Sequence, residues 1–121
     1  MGIKILDIGQ CGFDGPTMSR FFREALDATV DNAATAQDAV RDLADRNYNL
    51  ALVNRILAAD GASGIELIHT LIKAGCTTPL MLVSDFSEAQ DAAVAYGAVR
   101  GFGKAELEEP QTLEVIRNAA R

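Results

Sequence analysis

The residues best placed to do chemistry follow apolar segments of the chain. The stretch Asn49–Leu57 contains an apolar run of strand length that ends abruptly at the polar residue Asn54. A run that is apolar at every position, without alternation, is typical of a strand buried on both faces of a parallel sheet. In open α/β sheets, ligand-binding and catalytic groups lie just past the carboxyl ends of such strands. The pattern therefore predicts that Asn54 lies at the mouth of a site.

Other predicted strands are followed by polar or glycine residues in the same way. Ser84 follows Leu80–Val83, Lys104 comes just after Val99–Phe102, and a glycine-rich turn, Gly9–Gly15, follows the first strand. Ser84 and Lys104 are weak signals when each is taken alone, because serine often ends a strand and lysine side chains are mostly solvated. Their joint spacing is the stronger indication of a site.

The elements that position these residues alternate along the chain. Strand character is found at Ile3–Ile8, Ala28–Asn32, the Asn49–Leu57 stretch, Leu80–Val83 and Val99–Phe102. Helical patterns are predicted at about 16–25, 36–46, 65–72, 87–96 and 109–120. Such alternation predicts an α/β domain in which a five-stranded parallel sheet is covered by five helices on two faces. Right-handed crossovers leave few topologies, and the flavodoxin-like order 2-1-3-4-5 suits this length best.

Two of the helices carry more detailed predictions. Ser87 with Gln90 three residues later matches a capping box at the start of the fourth helix. Thr35 is expected to cap the second helix. The apolar periodicity of that helix predicts that four residues face the core: Ala36, Ala39, Val40 and Leu43.

Composition excludes several classes of protein. The 121-residue chain has a net charge of −6, which argues against non-specific nucleic-acid binding because that requires a basic surface. No apolar run approaches the roughly 20 residues of a membrane helix, and no secretory signal is visible. Cys11 and Cys76 form neither a disulfide framework nor a metal-ligand cluster, which predicts reduced thiols in a cytoplasm. We therefore expect a single cytoplasmic domain over residues 1–121 that contacts no membrane and no nucleic acid.

Several segments together resemble a bacterial two-component receiver domain. They are Lys4-Ile5-Leu6-x-Ile8, Tyr48–Val53, Gly61-x-x-Gly64-Ile65-Glu66-Leu67, Pro79–Ser84, Tyr96-Gly97-Ala98 and Lys104. The resemblance covers about residues 3–120. The spacing agrees with it, since 45 positions separate Gly9 from Asn54 and 30 separate Asn54 from Ser84. The resemblance implies the receiver fold with the strand order given above.

The resemblance also shows which chemical groups differ from the family's pattern. A working receiver has an acidic pair after the first strand and an acceptor aspartate at the end of the third. These carboxylates hold Mg²⁺, and the aspartate attacks a phosphoryl group. The acidic pair falls on Gly9 and Gln10 here, and the acceptor falls on Asn54. A glycine and two neutral amides offer little to Mg²⁺, and an amide cannot act as the carboxylate nucleophile.

Two further positions also lack the residues that are usual in the family. Gly101 stands where the resemblance places the switch aromatic, and Ala105 stands where a proline usually follows the lysine. Without that proline we expect a trans peptide bond after Lys104 and a rerouted loop. Of the family's usual set, only Ser84 and Lys104 remain. The chain thus resembles a degenerate receiver, or pseudo-receiver, for which we predict no catalytic residue, no metal and no cofactor.

Asp7 falls within the first strand, which is central in this topology. An ionised side chain there must be paired or partly hydrated. Strand alternation places Asp7 on the same face as Gly9, so we hypothesise that Lys104 reaches past the glycine to pair with it. With no other carboxylate expected near Lys104, the pocket is predicted to be neutral or positive and to hold water or a small anion.

The favoured function is a stand-alone, non-enzymatic interaction module in a signalling pathway, independent of phosphorylation. Its partner would be a histidine kinase, a response regulator or an output protein, and a second copy of the chain is a further candidate. We expect no output domain after residue 121, in which case any output would act in trans.

Two alternatives remain open at this stage. In the first, backbone N–H groups of the Gly9/Gly12/Gly15 turn cradle a small anion or a nucleotide at a helix N-terminus. In the second, the chain is a receiver that is phosphorylated at a non-standard residue. The candidates are Asp14, Asp60 and Asp85. None of the three ends the third strand, so their geometry is unfavourable.

Overall fold

The computed structural model describes residues 2–120. The strands are β1 (Lys4–Ile8), β2 (Thr29–Ala33), β3 (Leu50–Asn54), β4 (Leu80–Val83) and β5 (Val99–Phe102). The helices are α1 (Asp14–Leu26), α2 (Ala36–Asp45), α3 (Gly64–Lys73), α4 (Ser87–Ala95) and α5 (Pro110–Ala119), with a short 3₁₀ turn at Lys104–Glu106 before α5. The strands form one parallel sheet in the order β2-β1-β3-β4-β5, which confirms the predicted fold class.

Strand β1 lies inside the sheet and pairs with both β2 and β3. Its register with β3 aligns Ile5 with Leu50 and Ile8 with Val53. Because all pairings are parallel, the carboxyl ends of the strands share one edge of the sheet. The residues that follow the strands are therefore brought to the same edge.

Two apolar cores lie on opposite faces of the sheet. One contains Leu6, Ile8 and Val53 and is covered by α2, α3 and α4. The other contains Ile5 and Leu52 and is covered by α1 and α5. Successive residues of a strand point to opposite faces, so a central strand with two covered faces must be apolar at every position. This is why the apolar runs of the sequence do not alternate.

Some element boundaries differ from the prediction. Helix α1 begins at Asp14 rather than at Pro16. Strand β3 ends at Asn54, so the second half of the Asn49–Leu57 stretch is not strand. The chain turns there, and Leu57 is nevertheless fully buried in the core. An apolar sequence alone does not distinguish a strand residue from a buried loop residue, which explains the difference.

Two of the helix predictions are wrong, and one is confirmed. Ser87 and Gln90 do not form a capping box, because the N-cap residue of α4 is Phe86 and Gln90 turns into the protein. Val40 is exposed, whereas Ala39 is fully buried. At about 100° per residue, the small Ala39 points to the sheet and Val40 is rotated away from it. Thr35 caps α2 as predicted, accepting a hydrogen bond from the Asp38 N–H.

None of the helices within residues 2–120 combines the length and the apolar character that a membrane-spanning helix requires.

Candidate functional site

The carboxyl edge of the sheet brings two of the predicted site residues into direct contact. Asn54 Nδ2 donates to the Gly9 carbonyl at 3.0 Å, so the end of β3 is tied to the end of β1. Asn54 Oδ1 accepts from the Arg55 N–H, also at 3.0 Å. Both functional atoms of the amide are therefore used within the fold. Asn54 links two strand ends where the resemblance expects a phosphoryl acceptor.

Gly9 adopts a conformation that favours glycine. Its φ is +79°, in the left-handed region, and a Cβ at this position would overlap the Leu57 side chain. The Gly9 N–H donates to Ala33 at 2.8 Å, and its carbonyl also accepts from Ala58 at 2.9 Å. A carboxylate-bearing residue at this position would require both a strained backbone and a displaced Leu57. The loop after β3 thus occupies the space of a side chain at Gly9.

Lys104 pairs with a residue that the sequence did not identify as its partner. Its Nζ lies 2.7 Å from Asp14 Oδ2 in the first turn of α1, and roughly one third of each side chain is exposed. The hydrogen bond from Lys104 is the main cause that lowers the pKa of Asp14, and burial opposes it to a smaller extent. The expectation that Lys104 has no carboxylate neighbour is therefore wrong. The peptide bond after Lys104 is trans, as predicted.

Asp7 is the buried charge of this region. It is 1% exposed, and neither carboxylate oxygen has a hydrogen-bond partner within the described residues. Burial raises its pKa to about 7, while the nearby Gln10 amide and the Lys104 charge lower it to a smaller extent. Gln10 lies close to Asp7 without meeting hydrogen-bond geometry, since its own amide atoms also lack partners in the part of the chain described. The hypothesised Lys104–Asp7 pair is not formed, because the lysine stays with the more accessible Asp14.

Gln90 holds Ser84 and Gly101 in place through hydrogen bonds to their backbone groups. The sequence did not indicate Gln90 as a site residue. Gln90 Nε2 donates to the Leu82 and Ser84 carbonyls, and its Oε1 accepts from the Gly101 N–H at 2.9 Å. The Ser84 hydroxyl accepts from the Phe86 N–H at 3.1 Å. A Gln in a helix pattern gives no sign of this role, because its partners come from two different strands.

A side chain at Gly101 would not fit this arrangement. The pairing of β4 with β5 is irregular, with Met81 opposite Val99 and Val83 opposite Phe102, which leaves one extra residue in β5. A Cβ on Gly101 would overlap the Leu82 carbonyl and the Met81 side chain. The position that the resemblance assigns to a switch aromatic therefore lies against β4, with no room for a ring.

The donor set at this edge does not fit the Mg²⁺ ion that the fold family implies. Gly9 has no side chain, Asn54 has committed its amide oxygen to a backbone N–H, and Gln10 is a neutral amide. Mg²⁺ requires hard, preferably anionic, oxygen ligands. Within residues 2–120, no three His, Cys, Asp or Glu side chains are grouped so as to hold a metal ion.

The glycine turn after β1 is largely engaged in internal hydrogen bonds. The N–H groups of Gly9 and Gly15 donate to the carbonyls of Ala33 and Cys11. The Asp14 N–H donates to Cys11 Sγ at 3.3 Å. The Asp14 carboxylate also brings a negative charge to the start of α1. These features oppose anion binding by the turn.

The fold is that of response regulator receiver domains. Among solved structures, the chain is similar to NtrX from Brucella abortus, with a TM-score of 0.83 and 19% sequence identity over 98% of this chain and 27% of that one. It is similar to the receiver domain of Francisella response regulator 1452, with a TM-score of 0.81 and 18% identity over 98% and 97% of the two chains. A response regulator from Chloroflexus aurantiacus gives a TM-score of 0.86 at 16% identity, with 98% of each chain covered. No protein-family model and no curated protein matches the sequence.

The burial of Asp7 predicts a pH-dependent stability. Its pKa of about 7 in the folded state lies above the ordinary value of 3.8, so folding favours the protonated form. The contribution of protonated Asp7 to the free energy of unfolding is fully present below pH 3.8, and it is lost as pH rises through about 7. The difference in unfolding free energy between wild type and Asp7→Asn should therefore shift by about 4 kcal/mol in favour of the variant between pH 4 and pH 8. Urea unfolding at several pH values measures it, and parallel curves for the two proteins would contradict it.

The packing of Leu57 on Gly9 predicts a coupled pair of substitutions. Gly9→Ala should destabilise the fold by about 2–4 kcal/mol, because it adds both backbone strain and an overpacked contact. In a Leu57→Ala background the added cost should fall by at least about 1 kcal/mol. Gly12→Ala is the matched control, since its Cβ would meet no atom within 4 Å. A Gly9→Ala cost equal to that of Gly12→Ala would show that the contact is unimportant.

Proposed function

We propose that this chain is a degenerate receiver module of bacterial signal transduction that acts by protein–protein interaction, without phosphorylation and without enzymatic activity. The observation that carries the proposal is Asn54. Its amide joins β1 to β3 at the position where the resemblance expects the acceptor aspartate. The closed space at Gly9 supports the same conclusion, because a side chain at this position of the expected acidic pair would overlap Leu57.

An apolar rim at the same edge supports an interaction role. We use this name for Phe13, Ile56 and Phe86, which lie in the loops after β1, β3 and β4 and are 80%, 43% and 60% exposed. The Arg55 guanidinium lies 5.0 Å from the centre of the Phe86 ring, a cation–π arrangement that keeps the ring at the surface. The three side chains lie at the same edge of the sheet, and apolar surface that gathers in one exposed place is typical of sites that contact another protein.

The partner class follows from the fold and the charge. A signalling protein, whether a histidine kinase, a response regulator or an output protein, is the partner that we propose, with a second copy of this chain as a further candidate. The net charge of −6 opposes nucleic acid as the partner.

The proposal predicts that phosphodonors leave the protein unchanged. After incubation with acetyl phosphate and Mg²⁺, the intact mass of the wild type and of Asn54→Asp should show no added phosphoryl group. The single variant has a carboxylate at position 54, but it still lacks the acidic pair that would hold Mg²⁺. A gain is expected only when Gly9→Asp and Gln10→Asp are added as well. Since Leu57 fills the space beside Gly9, that triple variant should be tested with and without Leu57→Ala.

Circular dichroism of each variant provides the folding control for this experiment. A stable phosphoryl group on the wild type would contradict the proposal, whichever aspartate carries it. Mapping the adduct to Asp14, Asp60 or Asp85 would instead support a receiver modified at a non-standard residue. Of these three, only Asp14 is paired with Lys104, whereas Asp60 and Asp85 accept from the backbone N–H groups of Ala62 and Ala105.

The rim makes a second prediction about partner binding. The wild-type protein, used to capture partners from lysate of the source cells, should retain at least about ten times more of a given partner than the Phe13→Ser/Phe86→Ser variant does. The variant lacks both large aromatic side chains of the rim, and such side chains usually contribute most of the binding energy. Capture should be the same with and without acetyl phosphate. Val40→Ser/Val94→Ser is the matched control, since these apolar residues are 45% and 41% exposed on α2 and α4. If the control loses the partner and the rim variant retains it, the docking surface lies on the helices instead.

A further inference from the structure

The apolar rim lies at an acidic edge of the molecule. Of the 17 acidic and 11 basic residues of the chain, nine and two respectively lie in the loops after the five strands and in the first turns of the helices that follow. The two basic residues are Arg55 and Lys104. The excess negative charge of the chain is therefore gathered around the rim. The nine acidic residues are Asp14, Asp38, Asp60, Glu66, Asp85, Glu88, Glu106, Glu108 and Glu109.

The two basic residues of this edge are already engaged. Lys104 Nζ lies 2.7 Å from Asp14 Oδ2, and the Arg55 guanidinium lies over the Phe86 ring. Several of the carboxylates accept backbone N–H groups or stand in the first turn of a helix, where they stabilise its N-terminus. An N–H group is neutral, so a carboxylate that accepts from it keeps its full negative charge. The edge therefore presents an acidic surface to a partner.

Glu88 and Glu108 are unpaired carboxylates beside the rim. Both are exposed, and neither side chain has a hydrogen-bond or ion-pair partner within residues 2–120. Glu88 follows Phe86 by two residues, and Glu108 lies in the loop after β5, the strand next to β4. Both therefore lie on the β4–β5 side of the rim, and cationic groups of a partner belong at that end.

The spacing of the rim residues matches the pitch of an α-helix. Phe13, Ile56 and Phe86 follow β1, β3 and β4, which are neighbours in the sheet. Neighbouring strands lie about 4.8 Å apart, and one turn of an α-helix rises about 5.4 Å. A helix that lies across these strand ends therefore places one apolar side chain per turn, at about positions i, i+4 and i+7, against the rim.

We propose that the element of the signalling partner that contacts the rim is a basic amphipathic helix; this inference rests on the proposed function, which gives the rim a protein partner. The apolar stripe of the helix covers the rim, and its Lys and Arg side chains face Glu88 and Glu108 at the end nearest Phe86. Burial of the apolar anchors supplies most of the affinity. The opposite charges raise the association rate and select against acidic helices, whose like charges would be brought together.

Two synthetic helical peptides of about 18 residues provide the probe. Both have the same stripe of leucines, flanked by lysines in one peptide and by glutamates in the other. In amide NMR titrations of the whole chain, the lysine peptide should shift signals of the loops after β1, β3 and β4, and the glutamate peptide should bind at least about tenfold more weakly. The affinity for the lysine peptide should fall as NaCl rises from about 0.05 to about 0.5 M, because salt screens exposed charges. Equal affinities, shifts confined to other surfaces, or no shifts would overturn the proposal.

Charge reversal in the protein tests the contribution of the acidic edge. Glu88→Lys/Glu108→Lys should weaken binding of the lysine peptide at least about tenfold, because two attractive contacts become repulsive. The matched control is Glu24→Lys/Asp45→Lys, which makes the same change of charge at exposed residues near the C-terminal ends of α1 and α2. The control should keep the wild-type affinity within about twofold, and thermal unfolding checks the fold of both variants. An unchanged affinity in the edge variant, or an equal loss in the control, would contradict the inference.

Capture from lysate separates failure of this inference from failure of the proposed docking surface. If Phe13→Ser/Phe86→Ser retains the partner, the rim is not the docking surface and both proposals fail. If that variant loses the partner and Glu88→Lys/Glu108→Lys retains it, the rim stands and the basic helix is ruled out. Loss from both variants, together with the peptide titrations, supports the basic helix. Light scattering of the purified wild type tests the other occupant, since a dimer that Phe13→Ser/Phe86→Ser cannot form would place a second copy on the rim instead.

Discussion

The close approach of Leu57 to Gly9 is the constraint on which the rest of the site edge depends. With no side chain at Gly9, the loop after β3 folds back over the end of β1, and Leu57 becomes fully buried. The same approach brings the Ala58 N–H and the Asn54 amide to the Gly9 carbonyl. A larger residue at Gly9 would push this loop outward and break both hydrogen bonds. The geometry at the ends of β1 and β3 therefore depends on one absent side chain.

Much of the fold could be predicted from the sequence, because a strand that is buried on both faces of the sheet appears in the sequence as a continuous apolar run. The sequence correctly predicted that the apolar runs contain β3 and β4, that Thr35 caps α2, and that the strands have the order observed. Side-chain direction was harder to predict. Gln90 fits a capping box as well as it fits a buried link to Gly101, and only the position of β5 decides between them. Local pattern carries no information about a partner that arrives from a distant strand.

The charges of the edge illustrate the same limit. The sequence indicated that Asp7 needs a partner and that Lys104 stands near it, but it did not indicate how far either side chain would reach. Lys104 is attached to a turn at the surface, where it pairs with Asp14 while about one third of each side chain stays exposed. Pairing with Asp7 instead requires the ammonium to leave water. The competition between hydration and burial decides the pairing.

Two neutral amides and one ion pair divide the edge into a fixed part and an adjustable part. Asn54 ties β3 to β1, and Gln90 ties β4 to β5, in both cases through backbone groups. Breaking such a link leaves a buried polar group unsatisfied, so these parts resist rearrangement. The Lys104–Asp14 pair is partly exposed and screened by water, so its loss costs less than the loss of a buried link. Any change of state in this domain is therefore expected to begin at Lys104, while the strand ends keep their positions.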